Sequence, residues 1–299
     1  MQETKQSRGP LVSIVTPSYN MARFLGETIE SVLSQDYPHI EYIVMDGGST
    51  DGTVDLLRKY EGRLRYLSEP DKGQGDAVNR GFRLSEGQIF TFLNADDTYL
   101  PGAVSAAVRA FEAHPQAGVV YGDAYHVKEG GEIIGPYPTQ AFDPERFRTQ
   151  CYICQPASFL QRDVFERAGM LNPELHFALD YDLWIRISRL APMRKIDEYL
   201  ATSRMHENNK TLGQLPRVFE EVFGVLKKHY GYIPANWMYG YGSYRASGQS
   251  PALSVPRPTA AGLALTVLLG SYYNKRHLLR YWKDLYTTTA QTIQCKLPS

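Results

Sequence analysis

The chain is poor in cysteine and has no surplus of charge of either sign, and each shortage narrows what it can be. Three cysteines in 299 residues, Cys151, Cys154 and Cys295, are too few for a disulfide framework. Cys151 and Cys154 have the spacing of a redox or zinc pair. With no second pair beside them, and Tyr152 and Ile153 between, the expected role is structural. The 32 Lys and Arg are balanced by 32 Asp and Glu, which argues against a broad nucleic-acid-binding face. Met1–Pro10 is a polar tail with no apolar core, so it does not read as a secretion signal. The most apolar window, Ala260–Tyr273, is too short to cross a bilayer unaided. These shortages point to a reducing, cytoplasmic setting and no nucleic-acid partner.

What the sequence does contain is a regular alternation of strand and helix patterns. Leu11–Thr16 reads as a strand stopped by Pro17, followed by Phe24, Leu25, Ile29, Val32 and Leu33 at helical spacing. Ile40–Met45 is the next strand and Thr53 begins the next helix. Arg63–Leu67 is a third strand, and Asp76–Ser85 a helix closed by Gly87. A further strand runs into Asp96, and a helix covers residues 102–113. Such alternation predicts an α/β fold with a mostly parallel central sheet flanked by helices. Right-handed crossovers then gather the loops at Pro17, Asp46 and Asp96 along one sheet edge.

Gln88–Asp97 is the most informative stretch. Its apolar run ends in a polar turn with two adjacent carboxylates, Asp96 and Asp97. Neighbouring carboxylates repel and are costly to desolvate, so they favour a divalent cation with oxygen ligands; the competing reading is a solvated turn. With Tyr19 and Asp46 on the adjoining loops, one edge offers a ring for a nucleobase, an acceptor for a ring N–H or ribose hydroxyl, and a cation site for a diphosphate. A packed aromatic and an ordinary cap or turn acid are the alternatives for Tyr19 and Asp46.

In the second half the alternation breaks. Val119–Tyr125 and Glu132–Gly135 look like a hairpin, and Ser158–Leu160 like a short strand before a helix at 162–168. Asp180 precedes the apolar face of Leu183, Trp184 and Ile187, where it can cap a helix or serve as a general base. Asp182 is the rival base. Lys195–Tyr199 suggests another strand, leading to a polar loop with Arg204, His206 and Lys210, suited to anionic oxygens or, for His206, a metal. Residues from Leu215 turn helical, and 233–258 reads as a linker or ordered loop. In the last helical region an apolar run stands beside basic and aromatic residues, which fits either an anionic membrane surface or a packed helical pair.

Pro17-Ser18-Tyr19-Asn20, Met45-Asp46-Gly47-Gly48-Ser49-Thr50-Asp51-Gly52, Asn94-Ala95-Asp96-Asp97 and Leu179-Asp180-Tyr181-Asp182-Leu183-Trp184 occur in that order. The series resembles the motifs of family-2 glycosyltransferases with the GT-A fold, over about residues 11–210. The resemblance implies inverting transfer of a sugar from a nucleotide-sugar donor, assisted by Mg2+ or Mn2+. It implies nucleoside contacts at Tyr19 and Asp46, with Pro17 and Ser18 as loop backbone. It further implies donor contacts at Asn94, Ala95, Asp96 and Lys210, a metal held by Asp96, Asp97 and His206, and Asp180 as base.

Two positions depart from the family pattern. Asn94 stands where the first acid of Asp-x-Asp is expected. An Ala-Arg-Asn-x-Gly segment reads Ala77-Val78-Asn79-Arg80-Gly81, so Lys72, Asp76 or Arg80 is expected to replace the arginine that meets the base. The expected organisation is a tail at 1–10, a GT-A domain at 11–212 and a helical extension at 213–299. Within the GT-A domain, 11–115 would form the nucleotide half and 116–212 the acceptor half. The acceptor would be a carbohydrate or lipid-linked saccharide, with peripheral contact at the inner face of the plasma membrane through the last helices. A sugar nucleotidyltransferase and a non-catalytic nucleotide-sugar-binding protein are the competing functions.

Overall fold

The computed structural model describes residues 9–206, 213–248 and 259–294, with side chains through Thr287. The chain divides into two units, Met1–Phe142 with Tyr152–His206, and Asp143–Cys151 with Glu207–Ser299.

In the first unit, β1 (Val12–Ser18), β2 (Ile40–Asp46), β3 (Arg65–Ser68) and β4 (Ile89–Phe92) pair in parallel in the order β3-β2-β1-β4. They are linked by helices α1 (Ala22–Leu33), α2 (Thr53–Arg58) and α3 (Gln74–Leu84). Period-2 alternation splits the strand residues between two faces. Ile14 and Val44 join Leu25, Ile29 and Val32 of α1 in one core cluster. Val15 and Met45 lie under α3, whose Gly81 allows the close approach: an added Cβ would sit 2.6 Å from Val15 Cγ1.

β1 does not stop at Pro17 as expected but continues through Ser18. Leu93 N–H donates to Val15 O and Gly47 N–H to Ser18 O, so odd positions of β1 face β4 and even ones face β2. Pro17 therefore points its missing N–H toward β4 beyond that strand's last residue, where no ladder bond is lost.

Next come β5 (Thr98–Tyr99), α4 (Ala103–Ala113), β6 (Val119–Lys128), β7 (Ile133–Pro136), α5 (Pro144–Thr149), β8 (Ser158–Gln161), α6 (Arg162–Arg167), α7 (Leu179–Ile187) and β9 (Met193–Met205). β8 runs antiparallel between β4 and β6, and β9 runs parallel to β6. The sheet thus continues β4-β8-β6-β9-β5, with β7 hairpinned onto β6. The antiparallel strands enter where the sequence alternation breaks.

The second unit contains α5 and the helices Leu215–Tyr230, Ala235–Ser247, Ala260–Tyr273 and Leu278–Gln294. Leu215–Tyr230 ends at Gly231 in the left-handed conformation (φ 79°) and buries Phe219 and Phe223 against Tyr241. Residues 235–247 are therefore helix rather than the expected linker or loop. Glycine weakens helix propensity, but here Gly242 lets Thr266 approach closely, with an added Cβ only 2.7 Å from Thr266 Oγ1. Packing outweighs propensity in that stretch.

Candidate active site

The C-terminal ends of the parallel strands carry the polar residues expected to bind. Ser18 and Asp46 are register partners at the ends of β1 and β2. Tyr19 follows at 64% exposure, presenting a ring to solvent on an anchored loop. The anchors are Asn20 N–H donating to Ser49 Oγ (2.7 Å) and Thr50 N–H donating to Asn20 Oδ1 (2.9 Å). Asp46 is buried and holds the next loop together. Its carboxylate accepts from Gly48 N (3.2 Å), Ser49 N (2.9 Å), Ser49 Oγ (2.5 Å) and Ser68 Oγ (2.6 Å). Ser18 Oγ is buried with no hydrogen-bond partner among the described residues, an unmet polar group at the edge where a ligand is expected.

The loop into α3 approaches the same edge. Asp71 accepts from Gly73 N–H (2.7 Å), and an added Cβ on Gly47 would lie 2.9 Å from Asp71 Oδ2. Gly73 has φ 107°, a region costly for any residue with a Cβ; a Cβ there would be 3.8 Å from His176 Nδ1. Lys72 N–H donates to Asp76 Oδ2 (3.2 Å). Arg80 pairs with Glu69. Asn79 clasps Leu171 both ways, donating to its carbonyl (2.8 Å) and accepting from its N–H (3.0 Å). That clasp fastens the segment before α7 to α3.

Asn94 is the junction of the edge. Its Oδ1 accepts from Gln74 Nε2 (2.7 Å), while its Nδ2 lies 3.1 Å from Asp97 Oδ2 and 3.3 Å from Gln155 Oε1. A carboxylate at position 94 could not donate and would face Asp97 directly, so the amide suits this network. Gln155 in turn donates to Phe92 O (2.5 Å), and buried Thr28 bonds to Ala95 O (2.9 Å) and Asp97 O (2.8 Å). Gln74, Gln155, Thr28 and Asp71 were not among the residues expected from sequence. Thr28 reads as part of a helix face, and no motif marks either glutamine.

Asp96 and Asp97 have different surroundings. Asp96 Oδ2 is 3.0 Å from His206 Nε2, and the His206 ring rests on Phe24 with centroids 4.8 Å apart. Asp97 is buried, with Oδ1 accepting from Arg204 N–H (3.0 Å) and Oδ2 from Asn94. Burial, then the adjacent Asp96 charge, holds its carboxyl well above the ordinary carboxylate range, against the opposing bonds from Arg204 and Asn94. Asp97 is thus a strut between loops, with both oxygens already engaged by protein donors.

Arg204 also departs from expectation. Instead of an anion-binding loop residue it is a buried member of β9. Its Nε donates to Asp96 O (2.9 Å), its Nη2 pairs with Glu27 (2.5 Å), and its Nη1 bonds Glu129 O. Together Arg204 and His206 grip the Asp96–Asp97 turn at main chain and side chain.

Asp180 lies inside the first turn of α7, whose N-cap is Ala178, so it is not the cap. Its Oδ1 accepts from the Tyr181 N–H (2.7 Å). Asp182 is fully buried and paired to Arg186 at 2.8 Å, which occupies the rival carboxylate. Lys210 lies outside the described residues. Cys151 is half-buried and Cys154 buried, and an apolar cleft lined by Gln88, Ile89, Val108 and Phe111 sits at the opposite end of β4 from the acids.

The family model described as "Glycosyl transferase family 2" matches residues 13–169, more than half of the chain. The chain belongs to glycosyltransferase family 2. Among its relatives is an uncharacterised glycosyltransferase of Rickettsia prowazekii, 29% identical over 230 residues, covering 73% of this chain and 72% of that protein. A chondroitin synthase of Escherichia coli is 28% identical over 225 residues, 74% of this chain but 33% of that longer enzyme. The fold is GT-A. It superposes on a mannosyltransferase from Pyrobaculum calidifontis, in complex with GDP-Man and Mn2+, with TM-score 0.59 and 18% identity; the match covers 97% of this chain and 89% of that one.

As to a metal, no group of three or more His, Cys, Asp or Glu side chains forms a cation cage among the described residues. Asp96 Oδ2 and His206 Nε2, 3.0 Å apart, would offer a divalent ion one carboxylate and one imidazole, with the remaining positions left to phosphate oxygens and water.

Proposed function

We propose that this glycosyltransferase inverts configuration as it moves a sugar from a nucleoside diphosphate sugar to an acceptor hydroxyl. The acceptor is a carbohydrate or lipid-linked saccharide in cell-surface polysaccharide, lipopolysaccharide or glycolipid assembly, reached at the cytoplasmic face of the membrane. The observation that carries the proposal is the Asp96–His206 pair at the edge shared by Ser18, Asp46 and Asn94. The manganese and GDP-mannose of the P. calidifontis enzyme support a metal-assisted donor site, and the chondroitin synthase a saccharide acceptor.

Tyr19 stacks on the base, and Ser18 Oγ and Asp46 Oδ1 meet the nucleoside. Asp96 and His206 hold Mg2+ or Mn2+; when bound, the ion supplies Lewis-acid stabilisation of the departing diphosphate. Asp97 leaves the ligand set, since its oxygens serve Arg204 and Asn94. Gln74 and Asn94 fix the loop bearing Ala95 and Asp96, so the carboxylate is pre-positioned.

Asp180 takes the proton of the acceptor hydroxyl as its oxygen bonds to the anomeric carbon. The bond from that carbon to the phosphate oxygen breaks, and its electron pair leaves with the nucleoside diphosphate. Asp180 sits four residues after His176, which lies against Gly73 at the same edge, while Asp182 is committed to Arg186. Titration calorimetry and a turnover assay on Asp180→Asn and Asp96→Ala test the assignment. Asp180→Asn should bind donor and fail to transfer; Asp96→Ala should lose Mn2+-dependent donor binding. Normal turnover by Asp180→Asn removes the base, and nucleotide binding that ignores Mn2+ in the wild type removes the metal.

A further inference from the structure

The helix Ala260–Tyr273 is built inside out. Its buried positions are Gly262, Thr266 and Gly270, a stripe four residues apart that packs on Gly242, Ser243 and Tyr281. Tyr281 OH donates to Thr266 O (2.8 Å), and an added Cβ on Gly270 would overlap that hydroxyl. The large residues are left outside, with Leu268 at 66% and Tyr272 at 72% exposure. The helix Leu278–Gln294 follows the same plan. Tyr281 is buried, whereas Leu279 (90%), Trp282 and Tyr286 (77%) are exposed at spacings of three and four, forming one stripe. Large apolar side chains concentrated at exposed positions of two successive helices mark an interaction site. Small residues inside and leucines outside is the arrangement of helices packed in lipid.

Charge selects the partner. Residues 222–283 contain no Asp or Glu, and Lys275, Arg276, Arg280 and Lys283 flank the apolar stripes. Residues 207–299 hold 11 Lys and Arg against 4 Asp and Glu, while residues 1–206 hold 21 against 28. The zero net charge of the chain therefore conceals a basic end and an acidic remainder. The 14-residue helix is about 21 Å long against a hydrocarbon core of about 30 Å. None of the described helices is long and apolar enough to cross a membrane.

We propose that these two helices form an interfacial anchor. They lay Leu268, Tyr272, Leu279, Trp282 and Tyr286 into the headgroup boundary of an anionic bilayer, with Lys275, Arg276 and Lys283 at the lipid phosphates. The proposal supplies a surface for the membrane setting suggested above, but its test does not depend on sugar transfer.

The test is co-sedimentation of the full chain with phosphatidylcholine vesicles containing about 30% phosphatidylglycerol or none. Each Lys or Arg near such a surface is worth about fivefold in partition. Wild type should bind the anionic vesicles at least about 100-fold more tightly, and 0.5 M salt should reverse most of the gain. The emission of Trp282 should shift blue on binding, a shift absent from Trp282→Phe. Leu268→Ser/Leu279→Ser should lose at least about tenfold in binding, and Lys275→Glu/Arg276→Glu/Lys283→Glu the preference for anionic lipid. Both should keep the wild-type circular dichroism and nucleotide-induced thermal shift, so a failed anchor is distinguishable from a failed donor site. Equal binding to both vesicle types, or none, overturns the proposal. So does a solution dimer that Leu268→Ser/Leu279→Ser dissociates while wild type ignores vesicles, since the face would then belong to a second copy of the chain.

Discussion

The sheet unit and the last two helices of the second unit place their large apolar side chains differently. In the sheet unit, Leu25, Ile29, Phe90 and Phe159 are buried, and Gln74, Asn94, Asp97 and Arg204 are joined by hydrogen bonds. In the last two helices Gly262, Thr266, Gly270 and Tyr281 lie inside, and Leu268, Tyr272, Leu279, Trp282 and Tyr286 face outward. The first arrangement minimises apolar contact with water and fixes a site in place. In the second, Gly262, Thr266, Gly270 and Tyr281 pack closely, and the large apolar side chains remain exposed.

The largest effect that could break this division is on catalysis. Asp180→Asn should lower turnover by about 1000-fold, within the range for a general base, and change nucleotide affinity by less than about twofold; calorimetry and an initial-rate assay read the two separately. Next comes burial itself. Leu25→Ala should cost about 2–5 kcal/mol of stability in urea denaturation, since Leu25 is fully buried beneath the sheet. A cost under about 1 kcal/mol would deny that α1 is a tightly packed part of the core.

Arg204→Lys sharpens the contrast by loosening the grip on the Asp96–Asp97 turn. It should cost about 1–3 kcal/mol and raise the Mn2+ concentration for half-maximal nucleotide binding severalfold. A purely structural role would lower stability alone and leave the Mn2+ titration unmoved.

Asp97 gives a pH prediction. Its carboxyl is held well above the ordinary range by burial and then by Asp96, so the folded state binds that proton more tightly than the unfolded chain. Its contribution is full below about pH 4 and is lost as pH rises through the raised value. Melting temperature in EDTA should therefore fall across that window by more in the wild type than in Asp97→Asn; equal slopes would remove the strut's protonation from the account. Smallest of all, Leu279→Ser should change stability by no more than about 0.5 kcal/mol, in deliberate contrast to Leu25→Ala. A large loss would mean that Leu279 packs inward.

Much of the nucleotide half was legible because its strands and helices are local patterns. Apolar alternation, helical spacing and turn residues mark β1 to β4 without reference to the rest of the chain, and the motif order carries the family. The glycine- and tyrosine-rich helix at 235–247 was hidden, since its stability comes from partners rather than from propensity.

The sequence by itself settled the family and the α/β alternation, and it put Asp96 and Asp97 at the end of a buried strand. Only the tertiary structure separated those two neighbours, engaging Asp97 with Arg204 and Asn94 and leaving Asp96 beside His206. It likewise turned Leu268 and Leu279 outward. The physical reason is distance along the chain: Asp97 meets Arg204 across more than a hundred residues. A carboxylate's role depends on what the fold brings to its oxygens, which no local pattern encodes.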